Sequence, residues 1–344
     1  MKPASLLTIL LTALITTFSC KDGITTIEEP QPGRRDYVWK VDTLKAPMNY
    51  FIGMWGASTD DIWTVSLTGD SENAIWHFNG NTWSVYQKEK LVRTCNSIWG
   101  NSKRNIWIVG GDGYIWHYDG SAWKENFIYQ QSDGFATIMD IWGRNSSDIY
   151  ACGVIHLKSK KEQRGFILHY DGTKWKEYYK ADYISQFNSI LGDDKNVFVT
   201  GVRILFEANN HIKVDSLYIA KVSNNKTSVL FSEPKEVMIN QHLGIVGNKL
   251  HAVINYQLYS YENNSLKPVF EIKHPKFTGN IYGRNYKDIF LSMYDGISHY
   301  DGNDVKYLYQ FDNGFSYYKG RPLDFGSSIY FNISDKLILH GSLK

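Results

Sequence analysis

Short apolar segments alternate with polar turns along most of the chain. Residues 97–123, SIWGNSKRNIWIVGGDGYIWHYDGSAW, show one complete cycle: three apolar runs separated by a polar turn and a Gly-rich turn, then Asp-Gly and a closing Trp. No long stretch carries the 3.6-residue apolar period of a helix. Asp-Gly pairs favour two-residue hairpins because they tolerate positive φ angles. One cycle therefore predicts four short strands joined by tight turns.

The cycle repeats along the chain, and in each copy a Gly ends the first strand. The second strands, such as NIWIV (105–109) and DIFLS (288–292), are apolar at successive positions, as strands buried on both faces are. The glycines recur at intervals of 36 to 55 residues, which fits the period of a propeller blade. The pattern predicts an all-β fold, a β-propeller of stacked four-stranded blades. The repeated glycines are Gly56, Gly100, Gly143, Gly192, Gly247, Gly283 and Gly326.

The last copy of the cycle stops after its third strand, in residues 337–344. The segment YVWKVDT (37–43) looks like a fourth strand, and Trp39 lies 17 residues before Gly56, a spacing that later copies repeat. We therefore expect strand 37–43 to complete the last blade and close a ring of seven blades. Six blades is the alternative, because the fourth, fifth and seventh copies match poorly. The single propeller domain would span residues 37–344.

The N-terminus has the form of an export signal. Residues 1–20 combine Lys2, an apolar segment from Leu6 to Ile15, and Cys20 after a small residue. The apolar segment is too short to span a bilayer. The tract resembles a bacterial lipoprotein signal peptide, which implies a lipid anchor on Cys20, although Phe18 departs from the usual pattern. An ordinary secretory signal is the alternative.

The segment after Cys20 is polar, and residues 21–36 carry Pro and Gly without periodicity, which predicts a flexible tether. Lys21 and Asp22 look like the start of outer-membrane lipoproteins of the Bacteroidetes type. This resemblance implies a cell-envelope protein attached to the outer membrane, on its periplasmic side or at the surface. The membrane would then be one partner, through the anchor.

The charge balance narrows the range of partners. The chain of 344 residues has 37 Lys and Arg against 35 Asp and Glu, a formal net charge of +2. Nucleic-acid affinity depends on clustered Lys and Arg, and the only basic run lies in one loop, around Lys158. We therefore expect no nucleic-acid partner.

The segment NIWIVGGDGYIWHYDG (105–120) resembles the propeller repeats of bacterial two-component-regulator sensor domains. The wider pattern, Gly, Asp-Ile-Trp, His-Tyr-Asp-Gly and Trp, is similar to bacterial propeller lipoproteins. The resemblance covers roughly residues 37–344. It implies a propeller fold and says little about function, because propellers host unrelated activities.

The His and Asp side chains that recur in successive copies could bind a metal or take part in catalysis, but their recurrence has a structural explanation. A metal needs ligands within about 2.1 Å, and equivalent positions of different blades lie far apart around the ring. The Asp residues lie in Asp-Gly turns, where Asp has a structural role. We predict no metal, no cofactor and no catalytic residue, and we expect Cys95 and Cys152 to be buried free thiols, with a disulfide as the alternative. The repeated residues are His77, His117, His169, His299, Asp119, Asp171 and Asp301.

Departures from the repeat indicate the binding face. Insertions between second and third strands (66–74, 154–165 and 203–217) emerge on the same face as the long connections between blades, which are rich in aromatic residues. Such side chains are typical of interface cores. The alternative is that these loops pack their aromatics onto the blade edges. The candidate ligand-binding residues are Tyr129, Phe135, Lys158, Tyr179, Tyr183, Arg203, Phe315, Tyr317, Tyr318 and Arg321.

The sequence thus favours a non-enzymatic cell-envelope binding module that recognises a protein or a glycan through one propeller face. The first alternative is a glycan-processing enzyme of propeller type, which would need two carboxylates converging in a cleft. The second alternative is an envelope assembly factor or scaffold. These three hypotheses make different demands on the residues at the centre of the ring.

Overall fold

The computed structural model describes residues 29–45, 50–67, 74–86, 94–183, 185–206, 212–234, 241–311, 319–334 and 336–344. The chain divides into two units, Met1–Pro30 and Gln31–Lys344. All 28 strands found in the described residues belong to the second unit, together with one short 3-10 turn at Gly111–Gly113. The described part contains no α-helix, so the predicted all-β class is confirmed.

The strands form seven antiparallel blades of four, counted over the described residues. This confirms the β-propeller and selects seven blades over six. In chain order, blade one is β2 (Tyr50–Ser58), β3 (Asp61–Leu67), β4 (Ile75–Phe78) and β5 (Trp83–Val85); blade two is β6 (Cys95–Ser102), β7 (Asn105–Gly110), β8 (Tyr114–Tyr118) and β9 (Trp123–Ile128); blade three is β10 (Phe135–Asn145), β11 (Asp148–Leu157), β12 (Glu162–Tyr170) and β13 (Trp175–Lys180); blade four is β14 (Ser185–Gly192), β15 (Val197–Phe206), β16 (Ile212–Ser223) and β17 (Lys226–Pro234).

The remaining three blades follow the same order, except that the last one takes its outer strand from the N-terminal end. Blades five and six are also joined by a short parallel contact between their first strands, at Ile245–Tyr282 and Val246–Gly283. Blade five is β18 (Gln241–Val246), β19 (Lys249–Ile254), β20 (Gln257–Glu262) and β21 (Ser265–Glu271); blade six is β22 (Phe277–Asn285), β23 (Asp288–Met293), β24 (Gly296–Tyr300) and β25 (Val305–Gln310); blade seven is β26 (Lys319–Asp324), β27 (Ser328–Ser334), β28 (Leu337–Leu343) and β1 (Tyr37–Thr43).

The ring is closed as the sequence predicts. Strand β1 pairs antiparallel with β28 over its whole length, from Tyr37 opposite Leu343 to Thr43 opposite Leu337. Backbone hydrogen bonds in a sheet need a partner strand, and blade seven has only three strands of its own. The two ends of the propeller unit therefore meet in a single sheet.

The repeated Gly at the end of the first strand is explained by packing between blades. A Cβ on Gly143 would lie 2.6 Å from the indole of Trp99, and one on Gly192 would lie 2.5 Å from Trp142. Each of these tryptophans lies near the end of the first strand of the preceding blade. Gly is required because no larger residue leaves room for the indole to lie against the neighbouring strand.

The second strands fill the interior. Residues Ile62 to Ser66 of β3 are all buried, and so is every residue of β23. Both faces of a middle strand contact neighbouring blades, so the strand has no solvent face on which polar residues would alternate. This burial accounts for the continuous apolar runs in the sequence.

Two of the predicted loop insertions are in fact extensions of strands. The segment predicted as a loop at 154–165 continues β11 to Leu157 and starts β12 at Glu162, and the one at 203–217 continues β15 and β16 in the same way. The interpretation as loops was wrong because the added residues continue the pairing of a hairpin, without interruption in blade three and with one register shift between Arg203 and Ile204 in blade four. Blades three and four are therefore taller than the others at one end.

The two ends of the blades define two faces of the ring. We call "channel face" the end at which first strands begin and second strands end, as at Tyr50 opposite Leu67. The "opposite face" is the end at which first strands end and second strands begin, as at Ser58 opposite Asp61. The extensions of blades three and four project on the channel face.

The last residues of the predicted tether are bound to the propeller. Residues 21–36 are expected to be flexible, but Gly33 donates a hydrogen bond to the Lys287 carbonyl (2.7 Å), and a Cβ on Gly33 would lie 2.4 Å from Asp288. Arg35 donates to His299 Nδ1 (3.2 Å) and pairs with Asp304 (2.6 Å). Lack of apolar periodicity does not exclude such polar docking. We call residues 33–36 the strap; it lies on blade six at the opposite face.

The strap buries a His–Asp pair that is partly open elsewhere. The His299 side chain is 0% exposed, whereas the equivalent His77 of blade one is 28% exposed. Because Arg35 Nε donates to Nδ1 of His299, the ring proton lies on Nε2 and is donated to Asp288 (2.8 Å). Arg35 also pairs with Asp301 (3.0 Å). The strap therefore adds polar contacts beside the ring closure.

Replacing Arg35 by Gln tests this contact. The change removes an ion pair from a side chain that is 19% exposed and leaves His299 without its Nδ1 donor, so we expect the free energy of unfolding to fall by about 2 kcal/mol. Chemical denaturation of the purified chain measures it. The matched control is Arg34→Gln, since the Arg34–Asp36 pair is largely solvent-exposed and should contribute less. Equal effects of the two changes would contradict a strap held by Arg35.

Candidate functional site

A cavity of about 500 Å³ lies at the centre of the ring. All seven first strands contribute to its wall, mostly through residues between their starting ends and their middles, such as Gln241 at the start of β18 and Asp140 in the middle of β10, so the cavity lies on the channel-face side of the ring. We call it the central channel. Its lining includes apolar residues such as Ile52 and Met139. The polar side chains in the lining include Asn96, Ser97, Asp140, Asn188, Ser189, Gln241, His242, Asn280 and Arg321.

Asp140 of blade three connects four blades across the channel. Its Oδ1 accepts hydrogen bonds from Ser97 Oγ of blade two (2.7 Å) and from the backbone of Ile141 (2.9 Å). Its Oδ2 accepts from the backbone N–H of Ile190 in blade four (2.9 Å) and from Arg321 of blade seven (3.1 Å). This carboxylate is thus fully engaged in holding the first strands together.

Arg321 of blade seven reaches across the ring to Asp140. Its Nη2 also donates to the Ile190 carbonyl (2.7 Å). The pairing of β26 with β27 shifts in register between Lys319 and Leu323. Gly320 has φ of 74°, and a Cβ at this position would lie 2.9 Å from the Ile52 carbonyl oxygen, which is too close. This irregular backbone, which favours Gly, precedes the residue whose side chain enters the channel.

The rest of the polar lining consists largely of amides. Asn96 Nδ2 donates to the Ile138 carbonyl (2.8 Å), and Gln241 Nε2 donates to the Gly201 carbonyl (3.0 Å). The buried Oε1 of Gln241 has no hydrogen-bond partner within the part of the chain that the structure describes. The wall thus offers neutral hydrogen-bonding groups, one of which is an unused acceptor.

His242 is held in its neutral form beside these amides. Burial lowers its pKa to about 4, although hydrogen bonds with the Asn280 side chain and the Thr278 backbone partly oppose that shift. The neighbouring backbone at Gly279, with φ of 99°, fits closely around the imidazole. With His242 neutral, the described lining carries one cation, Arg321, and one anion, Asp140, and these two neutralise each other.

Of the residues predicted to bind a ligand, Arg321 lines the channel. Tyr129 and Tyr179 do not, because both pack between blades. Tyr129 is 8% exposed, its ring lies 4.5 Å from that of Phe166, and its hydroxyl donates to Glu177. The Tyr179 ring packs against Phe187 at 6.1 Å. For these two residues the alternative interpretation, aromatics packed on blade edges, describes the geometry.

Three other candidates are accessible on blades three and four. Phe135 is 43% exposed and stacks on His156 at 4.5 Å. The Arg203 guanidinium lies 5.8 Å from the centroid of the Tyr183 ring. Lys158 is exposed in the turn between β11 and β12. They are on the channel face outside the central channel.

Four of the residues predicted as sites lie outside the described residues: Cys20, Phe315, Tyr317 and Tyr318. The predictions for them remain predictions.

The channel residues that sequence reasoning missed carry a signal. Polar residues stand just before the repeated Ile-X-Gly ending of several first strands: Asn96-Ser97, Asp140, Asn188-Ser189 and Asn280. They occupy the same place in an otherwise apolar repeat, so ring geometry brings them to one axis. Gln241 and His242 start a copy that matches the repeat poorly, and only the structure aligns them with the others.

The repeated His and Asp residues have the structural roles expected of them. His77 bonds to Asp61 (2.8 Å), and His117 bonds to Asn105 (2.8 Å) while its ring stacks on Trp107 at 4.1 Å. In the hairpin turns the aspartates accept backbone N–H groups, as Asp119 does from Ala122 (3.1 Å) and from Ser121 (2.9 Å). These contacts form within blades on the opposite face.

Further candidate chemistry is limited. Among the described residues, no group of three or more His, Cys, Asp or Glu side chains is placed to hold a metal ion. Cys95 and Cys152 are free and buried, and burial raises the pKa of the Cys95 thiol to about 12. The described residues include no helix of sufficient length and hydropathy to cross a membrane.

Known structures share the fold. A structure of YCF48 bound to D1 peptide has a TM-score of 0.62 at 14% identity, over 92% of this chain and 100% of that one. An inactive virginiamycin B lyase from Staphylococcus aureus with quinupristin has a TM-score of 0.64 at 15% identity, over 90% and 100%. YCF48 from Cyanidioschyzon merolae has a TM-score of 0.58 at 10% identity, over 88% and 98%. Identities this low show the propeller fold alone. No family model and no curated protein matches the sequence.

The state of His242 predicts a pH dependence of stability. An unfolded chain protonates this ring near pH 6.5, whereas the folded chain does so near 4, so the unfolding free energy falls as pH drops through this window. In His242→Gln that contribution is absent. We expect the loss of unfolding free energy between pH 7 and pH 4 to be about 2 kcal/mol smaller than in the parent chain.

Denaturation curves of both chains at a series of pH values measure the difference. Other buried histidines are common to the two chains, so their contributions cancel. Parallel pH profiles would contradict a neutral His242.

Proposed function

We propose that this chain is a binding protein that recognises a segment of a partner protein across the channel face. The observation that carries the proposal is the distribution of exposed apolar side chains. Five aromatic residues among those described are more than 40% exposed. Tyr286 (41%) lies on the opposite face, between β22 and β23, whereas the other four, Tyr50, Phe135, Tyr256 and Tyr294 (51%, 43%, 42% and 44%), lie on the channel face. We call these four residues the aromatic rim. Exposed aromatic residues around a polar recess are typical of interaction surfaces.

The spread of the aromatic rim favours a protein partner over a glycan. Its members belong to blades one, three, five and six, at the starts of first strands or at turns between second and third strands. A sugar ring stacks on one or two neighbouring aromatic faces, whereas contacts on four blades require a ligand that extends around the mouth of the channel. A protein surface with one protruding segment meets that requirement.

One of the solved structures of similar fold supports the choice of a protein partner. In one of them YCF48, a propeller of similar fold, is bound to a peptide. The virginiamycin B lyase shows that a similar fold also serves an enzyme. For a glycosidase-like enzyme, however, two carboxylates should converge, and the described lining of the channel has one, Asp140, which accepts four hydrogen bonds.

A display library of random peptides selected on the purified chain tests the proposal. Peptides recovered on the parent chain should bind the double variant Phe135→Ser/Tyr294→Ser at least tenfold more weakly, because large exposed aromatics supply much of the affinity of such surfaces.

The matched control is Val38→Ser/Val229→Ser, which removes equally exposed apolar residues from outer strands. Surface plasmon resonance gives the dissociation constants. Recovery of peptides that bind all three chains equally would contradict recognition through the channel face.

We also propose that the chain is anchored by a lipid on Cys20, in the cell envelope at the outer membrane. The support is the signal-like sequence of residues 1–20 together with the position of the strap. The strap lies on the opposite face, so a chain leaving the propeller there would hold the channel face away from the membrane. A partner would then approach the channel unobstructed.

Metabolic labelling with an alkynyl palmitate in a bacterial expression host tests the anchor. The parent chain should incorporate the label and partition with membranes, and Cys20→Ser should lose both properties. Cys95→Ser, which changes a buried thiol, serves as the control and should keep them. Equal labelling of Cys20→Ser and the parent would contradict the lipoprotein hypothesis.

A further inference from the structure

We infer that the segment bound at the channel face inserts a basic side chain, Arg or Lys, into a cleft between blades four and five. The inference rests on the proposed function and specifies the chemistry of the partner. The cleft has a volume of about 510 Å³, and its described lining includes two glutamates and three aromatic residues but no Lys or Arg. We call it the acidic cleft, and these five residues are Glu233, Glu271, Phe231, Tyr256 and Tyr259.

The acidic cleft lies at the channel-face ends of its strands. Strand β19 ends at Ile254 and β20 begins at Gln257, and both residues belong to the lining together with the turn between them. Tyr256, in that turn, is also a member of the aromatic rim. A segment held by the aromatic rim therefore contacts a residue that lines the cleft, and one long side chain can enter it.

The two carboxylates come from facing walls of the cleft. Phe231 and Glu233 are two positions apart in β17, so they share one side of the strand, and Phe231 packs with Tyr259 against the apolar cluster between blades four and five. In β21, Glu271 pairs opposite Gln257, which shares its side of β20 with Tyr259. Glu233 thus faces blade five, and Glu271 faces blade four.

The chain itself does not neutralise these carboxylates in the cleft. Among the described residues, none forms an ion pair or a hydrogen bond with the Glu233 side chain. Glu271 lies 3.5 Å from Lys273, but the two side chains are 50% and 80% exposed. An ion pair so exposed contributes little stability, so little is lost when a partner's cation replaces Lys273. Two carboxylates on facing walls favour a cation between them.

The other end of the same gap between blades is filled by a basic residue of the chain. The Lys221 ammonium of blade four lies 4.8 Å from the centroid of the Tyr261 ring of blade five and donates to its hydroxyl (3.2 Å). Tyr261 is two positions after Tyr259 in β20, on the same side of the strand. The gap therefore accommodates a basic side chain against an aromatic ring near the opposite face, and the acidic cleft offers similar surroundings at the channel face.

A long basic side chain matches both parts of the acidic cleft. Its aliphatic stem can lie along Phe231 and Tyr259, while its charged head reaches the two carboxylates. An apolar side chain in the same place would remove water from the carboxylates without replacing it, and an acidic one would be repelled. A cavity of about 510 Å³ is large enough for one such side chain and the backbone that carries it.

The test uses peptides that the display selection recovers on the parent chain. In each peptide, every Arg is replaced by citrulline and every Lys by norleucine, which lack the charge. Fluorescence anisotropy gives the dissociation constants on the parent chain and on the double variant Glu233→Gln/Glu271→Gln. The matched control is Glu125→Gln/Glu262→Gln, which removes the same charge from exposed residues of β9 and of the opposite-face end of β20.

The inference predicts one basic position whose neutralisation weakens binding to the parent chain at least tenfold. Glu233→Gln/Glu271→Gln should weaken the unmodified peptide to a similar extent. The neutralised peptide should lose little further affinity on that variant, because both changes remove the same contact. The control variant should bind as the parent chain does. Peptides without such a basic position, or equal losses on the two double variants, would overturn the inference.

Failure of the proposed function gives a different result. If no recovered peptide depends on Phe135 and Tyr294, recognition through the channel face is wrong and the inference falls with it. If the peptides depend on these two residues but their sensitive position is aliphatic, aromatic or acidic, the proposed function stands and the inference is overturned.

Discussion

The pairing of β1 with β28 is the interaction on which the rest of the structure depends. It joins residues 37–43 to residues 337–343 and closes the seven blades into a ring. Only in a closed ring do all first strands converge on one axis, and only there does Arg321 meet Asp140, 181 positions earlier in the sequence. The Arg321–Asp140 pair therefore exists because the ring is closed, and in turn ties blade seven to blades three and four.

Ring closure also separates two kinds of chemistry onto two faces. The opposite face carries what the repeat encodes: His–Asp pairs, aspartates in hairpin turns and the docked strap. These groups satisfy one another and stabilise individual blades. The channel face carries what differs between repeats, namely the strand extensions, the aromatic rim and the polar residues in the first halves of first strands.

The fold was largely predictable because a repeated blade leaves a repeated sequence. The glycines, the apolar second strands and the Asp-Gly turns each have one packing reason, and the missing fourth strand indicated the closure by residues 37–43. The insertions also led to the choice of the channel face as the binding face, which stays a proposal. Individual site residues did not, since exposure of an aromatic residue depends on its neighbours: Tyr129 packs on Phe166, whereas Tyr294 is left open.

Residues on the axis were hardest to predict for a related reason. Asp140 stands at a position that is polar in several copies of the repeat, but Gln241 starts a copy that matches the repeat poorly, so its sequence does not indicate that the two share a cavity. Arg321 was identified, but as a loop residue, whereas it lies in β26 and reaches across the ring through an irregular pairing with β27. The strap was missed because its contacts are polar and long-range, and such contacts leave no periodicity in the sequence.

The most direct test of the central claim is amide hydrogen–deuterium exchange of the chain with and without a saturating selected peptide. The account predicts slower exchange in the parts of the first strands that line the channel, in residues 96–98, 139–140 and 241–243, with little change in the outer strands β5, β9 and β13. Protection confined to outer strands, or to opposite-face turns such as the one at Asp119, would contradict recognition through the central channel.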